Sequence, residues 1–103
     1  MAFEDLVGKT VAITGGAGVI GHALARGLAA NGLNIAILDL DKGKAQKLAN
    51  ELVEQHGIKS LGIPCNVLER PSIESARDTL VAHFGRYQFL INGAGGNSPK
   101  AST

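Results

Sequence analysis

The stretch TVAITGGAGVIGHALARGLAANG, Thr10 to Gly32, constrains the fold more than any other part of the chain. It reads in three pieces. Thr10 to Thr14 is a short run rich in β-branched residues and bounded by Gly8 and Gly15, the pattern of a strand. A burst of glycines follows at Gly15, Gly16, Gly18 and Gly21. From Val19 the period turns helical: Ile20, Leu24 and Leu28 recur every four residues, and Ala23, Gly27 and Ala30 beside them leave room for close packing. Asn31–Gly32 stops the helix. A strand running straight into a helix is the start of a crossover, the connection that parallel strands require.

The alternation continues. Asn34 to Leu40 (NIAILDL) is a second strand, and Ile35 to Leu38 is apolar without alternation, which predicts burial on both faces. Ala45, Leu48, Ala49, Leu52 and Val53 have amphipathic helical spacing, ended by Gly57. SLGIPCNV, Ser60 to Val67, is a third and less regular strand, and Pro64 near its end suggests an edge position. Ile73, Ala76, Leu80, Val81 and Phe84 mark a third helix, opened near Pro71 and ended by Gly85. QFLIN, Gln88 to Asn92, is a fourth strand, and GAGGNSPKAST after it reads as loop.

The fold class is therefore α/β, βαβαβαβ, with a parallel sheet, helices on both faces and an expected strand order 3-2-1-4. Ligands of such sheets bind beyond the carboxyl ends of the strands, where the strand order reverses. The loops at Gly15–Gly21, Asp39, Asn66 and Asn92 should all open on that edge.

Composition narrows the function classes. Net charge is +1 and the charges are scattered, so neither a basic stripe for nucleic acid nor an acidic tail is present. Lys42, Lys44 and Lys47 share their segment with Glu51 and Glu54 and read as a solvated helix face. Cys65 is the only cysteine, which excludes an internal disulfide and fits a reducing, cytoplasmic setting. MAFEDLVGK carries acids and no apolar core, so it does not read as a signal peptide. No apolar stretch approaches the roughly 20 residues needed to span a bilayer, and no membrane partner is expected. His22, His56 and His83 are scattered, and no metal site is expected.

Gly16, Gly18 and Gly21 form G-x-G-x-x-G, with a strand before, a helix after and an acid downstream. A helix starting near Val19 offers unpaired N–H groups and the positive end of its dipole. A pyrophosphate reaches them only where no side chains intervene. Gly21 lets the helix approach the sheet. Asp39 closes the second strand, where a carboxylate accepts from both ribose hydroxyls of an adenosine and repels a 2′-phosphate. This predicts NAD as cofactor, with NADP disfavoured, although Lys42 and Lys44 stand close by. Asp41 suits a helix-capping role better than Asp39 does.

These residues resemble the short-chain dehydrogenase/reductase family. TGGAGVIG at Thr14–Gly21 is similar to its cofactor signature and ILDLD at Ile37–Asp41 to its NAD-type second strand. PCNV at Pro64–Val67 sits where the family has an aspartate followed by valine, and LINGAGG at Leu90–Gly96 resembles its Asn-Asn-Ala-Gly signature. There are departures. Val19 stands at the middle glycine of the short branch, whereas Thr14, Gly15, Gly18 and Gly21 satisfy the spacing of the extended branch. Sugar-acid members of the D-mannonate oxidoreductase or fructuronate reductase type also carry valine there and have a loop similar to GAGGNSPKAST. Asn66 replaces the aspartate and Gly93 the second asparagine.

The resemblance implies a Rossmann-type half-domain over residues 1–103. Gly15, Ala17, Gly18, Val19 and Ile20 would line the pyrophosphate and its ribose, and Asp39 would hold the adenosine ribose. Asn66 and Val67 would border adenine, and Asn92, Ala94 and Gly95 would run beneath the nicotinamide ribose. The family's chemistry uses a Ser, a Tyr and a Lys four residues after that Tyr. The one tyrosine, Tyr87, has Ile91 at that position and reads as packing, while Ser98 and Ser102 have no tyrosine partner. No catalytic residue is therefore assigned, and the chain is expected to be the cofactor-binding part of a longer, homo-oligomeric enzyme acting on a small molecule. An apolar fourth strand left as an open edge points the same way. Two alternatives remain open: an extended-branch epimerase or dehydratase, and a non-catalytic nucleotide-binding module.

Overall fold

The computed structural model describes residues 7–15, 17–87 and 89–92, the last of these as backbone. The elements run β1 (Thr10–Thr14), α1 (Val19–Ala30), β2 (Asn34–Asp39), α2 (Lys42–His56), β3 (Ser60–Pro64), α3 (Arg70–Phe84) and β4 (Phe89–Asn92). The strands form one parallel sheet in the order β3-β2-β1-β4, as expected. β1 pairs with β2 from Thr10↔Asn34 to Thr14↔Leu38, and with β4 from Val11↔Phe89 to Thr14↔Asn92.

Alternate residues of the central strands feed two separate cores. Val11, Ile13, Ile35 and Ile37 pack under α1 and α2 with Ala25, Ala29, Ala45, Leu48, Ala49 and Leu52. Ala12, Ala36, Leu38 and Ile63 pack on the opposite face with Cys65 and with Ala76 and Leu80 of α3. The unbroken apolar run Ile35 to Leu38 is thus buried on both sides, as its lack of alternation predicts. Tyr87 packs against the second core.

The ends of the helices follow local chemistry. Asp41 caps α2 by accepting a hydrogen bond from the Lys44 amide at 3.0 Å, an interaction worth about 1 kcal/mol. Gly57 ends α2 in the left-handed region at φ 68°, where a side chain would be strained. Pro71 lies in the first turn of α3, where its missing N–H costs nothing.

Four expectations need correction. In α1 Gly21 is buried toward the sheet, as expected, together with Ala25 and Ala29, but the larger Ile20–Leu24–Leu28 stripe is not the buried face. Ile20 is 57% and Leu24 36% exposed, and of that stripe only Leu28 packs against the core. Arg26 of α1 pairs with Glu51 at 2.6 Å and Gln55 at 2.8 Å on α2. Helical spacing then places Ile20 and Leu24 on the flank away from that contact, along an open apolar groove of about 570 Å³. Val53 and Val81, expected on core faces, are 44% and 47% exposed; each lies one position past the buried stripe of its helix. The second strand stops at Asp39, leaving Leu40 exposed. The third stops at Pro64, which lies opposite Asp39 on an outer strand of the described sheet, where a missing amide is tolerated.

One contact was not anticipated. A Cβ on Gly62 of β3 would lie 2.4 Å from the Gln46 backbone nitrogen and 2.6 Å from the Ala45 carbonyl carbon. The absent side chain lets α2 lie directly on β3. Gln46 Oε1 also accepts a hydrogen bond from the Gly62 amide at 3.1 Å.

Candidate functional site

β1, β2 and β3 end at the same edge of the sheet, so the residues after each strand are brought together. Gly15, at φ 65°, donates from its amide to the Leu38 carbonyl at 2.7 Å and then turns the chain away from β2. The Gly18 amide donates to Gly15 O at 3.1 Å, closing a tight turn, and His22 N donates to Gly18 O at 2.7 Å as α1 begins. Gly18 is the N-cap of α1, with no side-chain cap and no acidic residue in the first turn. The first amides of the helix, Val19 to Gly21, thus have no intrahelical acceptor. Such a terminus attracts an anion. The contrast is with α2, whose Asp41 cap fills the same role internally.

Asp39 sits between these two helix starts. Its Oδ2 accepts from the Ala17 amide at 3.1 Å and its Oδ1 from the Asp41 amide at 3.0 Å. Each carboxylate oxygen keeps a further lone pair for a hydroxyl donor. Among the described residues Gly18 is not held by crowding: it has φ −76°, and a Cβ there would meet none of them nearer than Gly15 O at 3.4 Å.

Beyond β3 the chain wraps into α3. The Cys65 amide donates to Asp39 O at 2.9 Å, and the Asn66 amide to Ser72 Oγ at 2.8 Å. Burial pushes the Cys65 thiol up from its ordinary value, with the Ser72 hydroxyl opposing. That keeps the thiol protonated, and the residue behaves as packing. Gly15, Asp39, Cys65 and Asn66 floor a cleft of about 320 Å³, walled by the exposed apolar side chains of Leu40, Val67 and Leu68. A slot of this kind can take a flat ring, with hydroxyls toward Asp39 and an anion toward α1.

Of the expected site residues, Gly15, Asp39, Asn66 and Val67 line this cleft, Ala17 is bonded to Asp39, Gly18 begins α1, and Val19 and Ile20 line the separate groove along α1. β4 sets the Asn92 backbone opposite Thr14 on the same edge. Gly16, Gly93, Ala94, Gly95, Ser98 and Ser102 lie outside the described residues. His22 is half-buried and accepts from Arg26 Nε at 2.7 Å. Lys44 and Lys47 stand exposed and share a neighbouring cleft with Ala17 and His22. Sequence reasoning missed Ser72, which anchors Asn66, and the rim residues Leu40 and Leu68. A serine six residues past Asn66 carries no pattern that singles it out. Among the described residues there is no group of three or more potential metal ligands, and no helix long and apolar enough to cross a membrane.

Comparison with known proteins follows the same outline. Residues 9–103 match the family model for short chain dehydrogenase. An uncharacterized oxidoreductase of Bacillus subtilis (strain 168) is 43% identical over 100 residues, covering 97% of this chain and 36% of that protein. A crystal structure of a candidate D-mannonate oxidoreductase from Haemophilus influenzae with bound NAD is 44% identical, with a TM-score of 0.81 over 93% of this chain and 34% of that one. L-sorbose reductase from Gluconobacter frateurii, solved with NADPH and L-sorbose, is 28% identical, with a TM-score of 0.84 over 90% of this chain and 35% of that one. The chain spans about a third of the length of these relatives.

Proposed function

The chain belongs to the short-chain dehydrogenase family, and we propose that residues 1–103 are the dinucleotide-binding half of an NAD(H)-dependent oxidoreductase. The observation that carries this reading is the pairing of Asp39 with Ala17 beside the uncapped start of α1. A ribose-reading carboxylate and an anion-binding helix terminus are thereby fixed to each other. A dinucleotide presents hydroxyls and a pyrophosphate in that same sequence.

In this reading Gly15, Ala17, Gly18, Val19 and Ile20 hold the pyrophosphate and its ribose. Asp39 accepts from the adenosine ribose hydroxyls. Asn66 and Val67 border the base, and Asn92, Ala94 and Gly95 run beneath the nicotinamide ribose. The nicotinamide, when bound, supplies hydride transfer to or from an alcohol or ketone. The residues of this chain bind and orient the cofactor, and the open cleft leaves its base end accessible. NAD is favoured over NADP because a 2′-phosphate would meet the Asp39 carboxylate.

A sugar acid as the substrate of the whole enzyme is supported by the NAD-bound Haemophilus relative. A larger parent enzyme is supported by the length of the relatives and by the uncovered apolar flank of α1. Titration calorimetry with NAD and NADP tests the reading directly. NAD should bind at least tenfold more tightly than NADP. No binding of NAD, or a preference for NADP, would overturn it.

A further inference from the structure

Arg26 holds three acceptors at once. Its Nε donates to His22 Nε2 at 2.7 Å, one turn earlier on α1. Its two terminal nitrogens donate to Gln55 Oε1 at 2.8 Å and Glu51 Oε1 at 2.6 Å, both on α2. The group joins the two helices whose starts flank Asp39. A guanidinium is always charged and has no lone pair to offer, so the ring nitrogen facing it must be the acceptor. The His22 imidazole in this bond is therefore neutral, with its one proton on Nδ1.

The surroundings of the ring are mostly cationic. His22 lines a cleft of about 290 Å³ with Ala17, Lys44, Lys47, Leu48 and Glu51. Its charged neighbour on α1 is Arg26, and those on α2 are Lys44, Lys47 and Glu51. Asp39, at the end of β2, is bonded to the Ala17 amide and does not line this cleft. Glu51 is the one carboxylate there among the described residues, and Arg26 already holds it. A second proton on the ring thus finds the carboxylate of the cleft already paired.

We infer that the His22–Arg26 pair is a proton-sensitive latch between α1 and α2. The second proton takes the Nε2 lone pair, so the Arg26 Nε–H loses its acceptor and faces a donor of like charge. Arg26 then turns from His22, and its hold on Glu51 and Gln55, made by the same planar group, loosens with it. The latch is closed while the imidazole is neutral. Its contribution is present above the range in which histidine takes up its proton and is lost as pH falls through that range. His56 and His83 share the range, so the latch is read as a difference between variants rather than from one pH profile.

The test is denaturant unfolding of wild type, Arg26→Met, His22→Gln and the double variant, at pH 8 and at pH 5.5. Arg26→Met should lower the folding constant about threefold at pH 8, the scale of one exposed hydrogen bond with its ion pair, and leave it nearly unchanged at pH 5.5. Glutamine keeps an acceptor oxygen one turn before Arg26 but takes up no proton. In the His22→Gln background the Arg26→Met loss should therefore be the same at both pH values. An Arg26→Met effect that does not change with pH in the His22 protein, a zero effect included, overturns the inference. So does a pH-dependent loss that persists in the His22→Gln protein, which would put the titrating group elsewhere. Nitrogen NMR of the ring gives an independent reading. At pH 8 the His22 proton should sit on Nδ1, and a neutral ring with its proton on Nε2 overturns the latch as well.

Discussion

Asp39 Oδ2 accepts a hydrogen bond from the Ala17 amide at 3.1 Å, joining the end of β2 to the glycine turn that lies 22 residues earlier in the chain. The acid and the turn are one unit. A ligand that draws on the carboxylate therefore also acts on the geometry of the loop leading into α1, and a substitution at Asp39 is felt at both places.

Asp39→Ala should weaken NAD by about 10- to 100-fold, the scale of one or two hydrogen bonds to a charged acceptor. NADP should lose less, because the carboxylate that repels its 2′-phosphate is gone. Dissociation constants for both cofactors, measured side by side, decide this. An unchanged NAD constant removes Asp39 from the ribose site.

Gly18→Ala should leave the fold intact and impair dinucleotide binding. The residue has φ −76°, and a Cβ there lies 3.4 Å from Gly15 O, its nearest neighbour among the described residues. The added methyl obstructs a pyrophosphate approaching the helix start rather than the protein itself. A thermal melt within a degree or two of wild type, together with weaker NAD binding, is the expected pair of results. A large drop in Tm would show that the glycine serves the turn alone.

Gly62→Ala should be strongly destabilising. Its Cβ would meet backbone atoms of Ala45 and Gln46 at 2.4 to 2.7 Å, and backbone does not yield as a side chain does. α2 would have to lift from β3, at a cost of about 2 kcal/mol or more. Denaturant unfolding measures it, and a loss under about 0.5 kcal/mol would contradict the close approach.

Cys65 should make stability fall at alkaline pH. Its folded-state pKa is raised by burial above the ordinary value of 9.0. The thiol thus favours the folded state below that pH, and the contribution is lost as pH rises past it and the unfolded chain ionises first. Unfolding free energies of wild type and Cys65→Ala, compared from pH 7 to 10, should converge toward the alkaline end. Parallel profiles would mean the thiol is not buried as described. By the same burial, alkylation of the folded protein at pH 8 should be slower than that of a free thiol.

Arg26→Met should cost little. The pair with Glu51 is about one-third exposed on each side, so water and salt screen it. A loss under about 1 kcal/mol is expected, shrinking further in high salt. A larger loss would mean that the bonds to His22 and Gln55 act together with the ion pair in fixing the angle between α1 and α2.

Much of the site is legible from local chemistry. The alternation of strand and helix patterns, the glycines between β1 and α1, and the acid ending β2 each follow from short stretches of chain. Once the elements alternate, parallel connection and crossover handedness place their carboxyl-end loops on one edge. That is why Gly15, Asp39 and Asn66 could be expected together before any contact was known. Asp41 as the cap of α2 follows in the same way, from a polar residue just ahead of a helical period.

Other features depend on distant partners and have no local signature. Periodicity shows that α1 has an apolar stripe at Ile20, Leu24 and Leu28 and a small one at Gly21, Ala25 and Ala29. It does not say which stripe meets the sheet. That choice follows from the turn at Gly15 and Gly18, which delivers the chain into α1. Gly62 looks like a weak point in a strand until α2 is laid over it. The Asn66 amide reads as either donor or acceptor until the Leu68 N–H claims its oxygen. The sequence by itself determined the elements, their order and the edge where they open, because propensity, turn chemistry and chain connectivity act over a few residues. Tertiary structure decided the facing of α1, the seat of α2 and the polarity of Asn66, because each is settled by an atom from elsewhere in the fold.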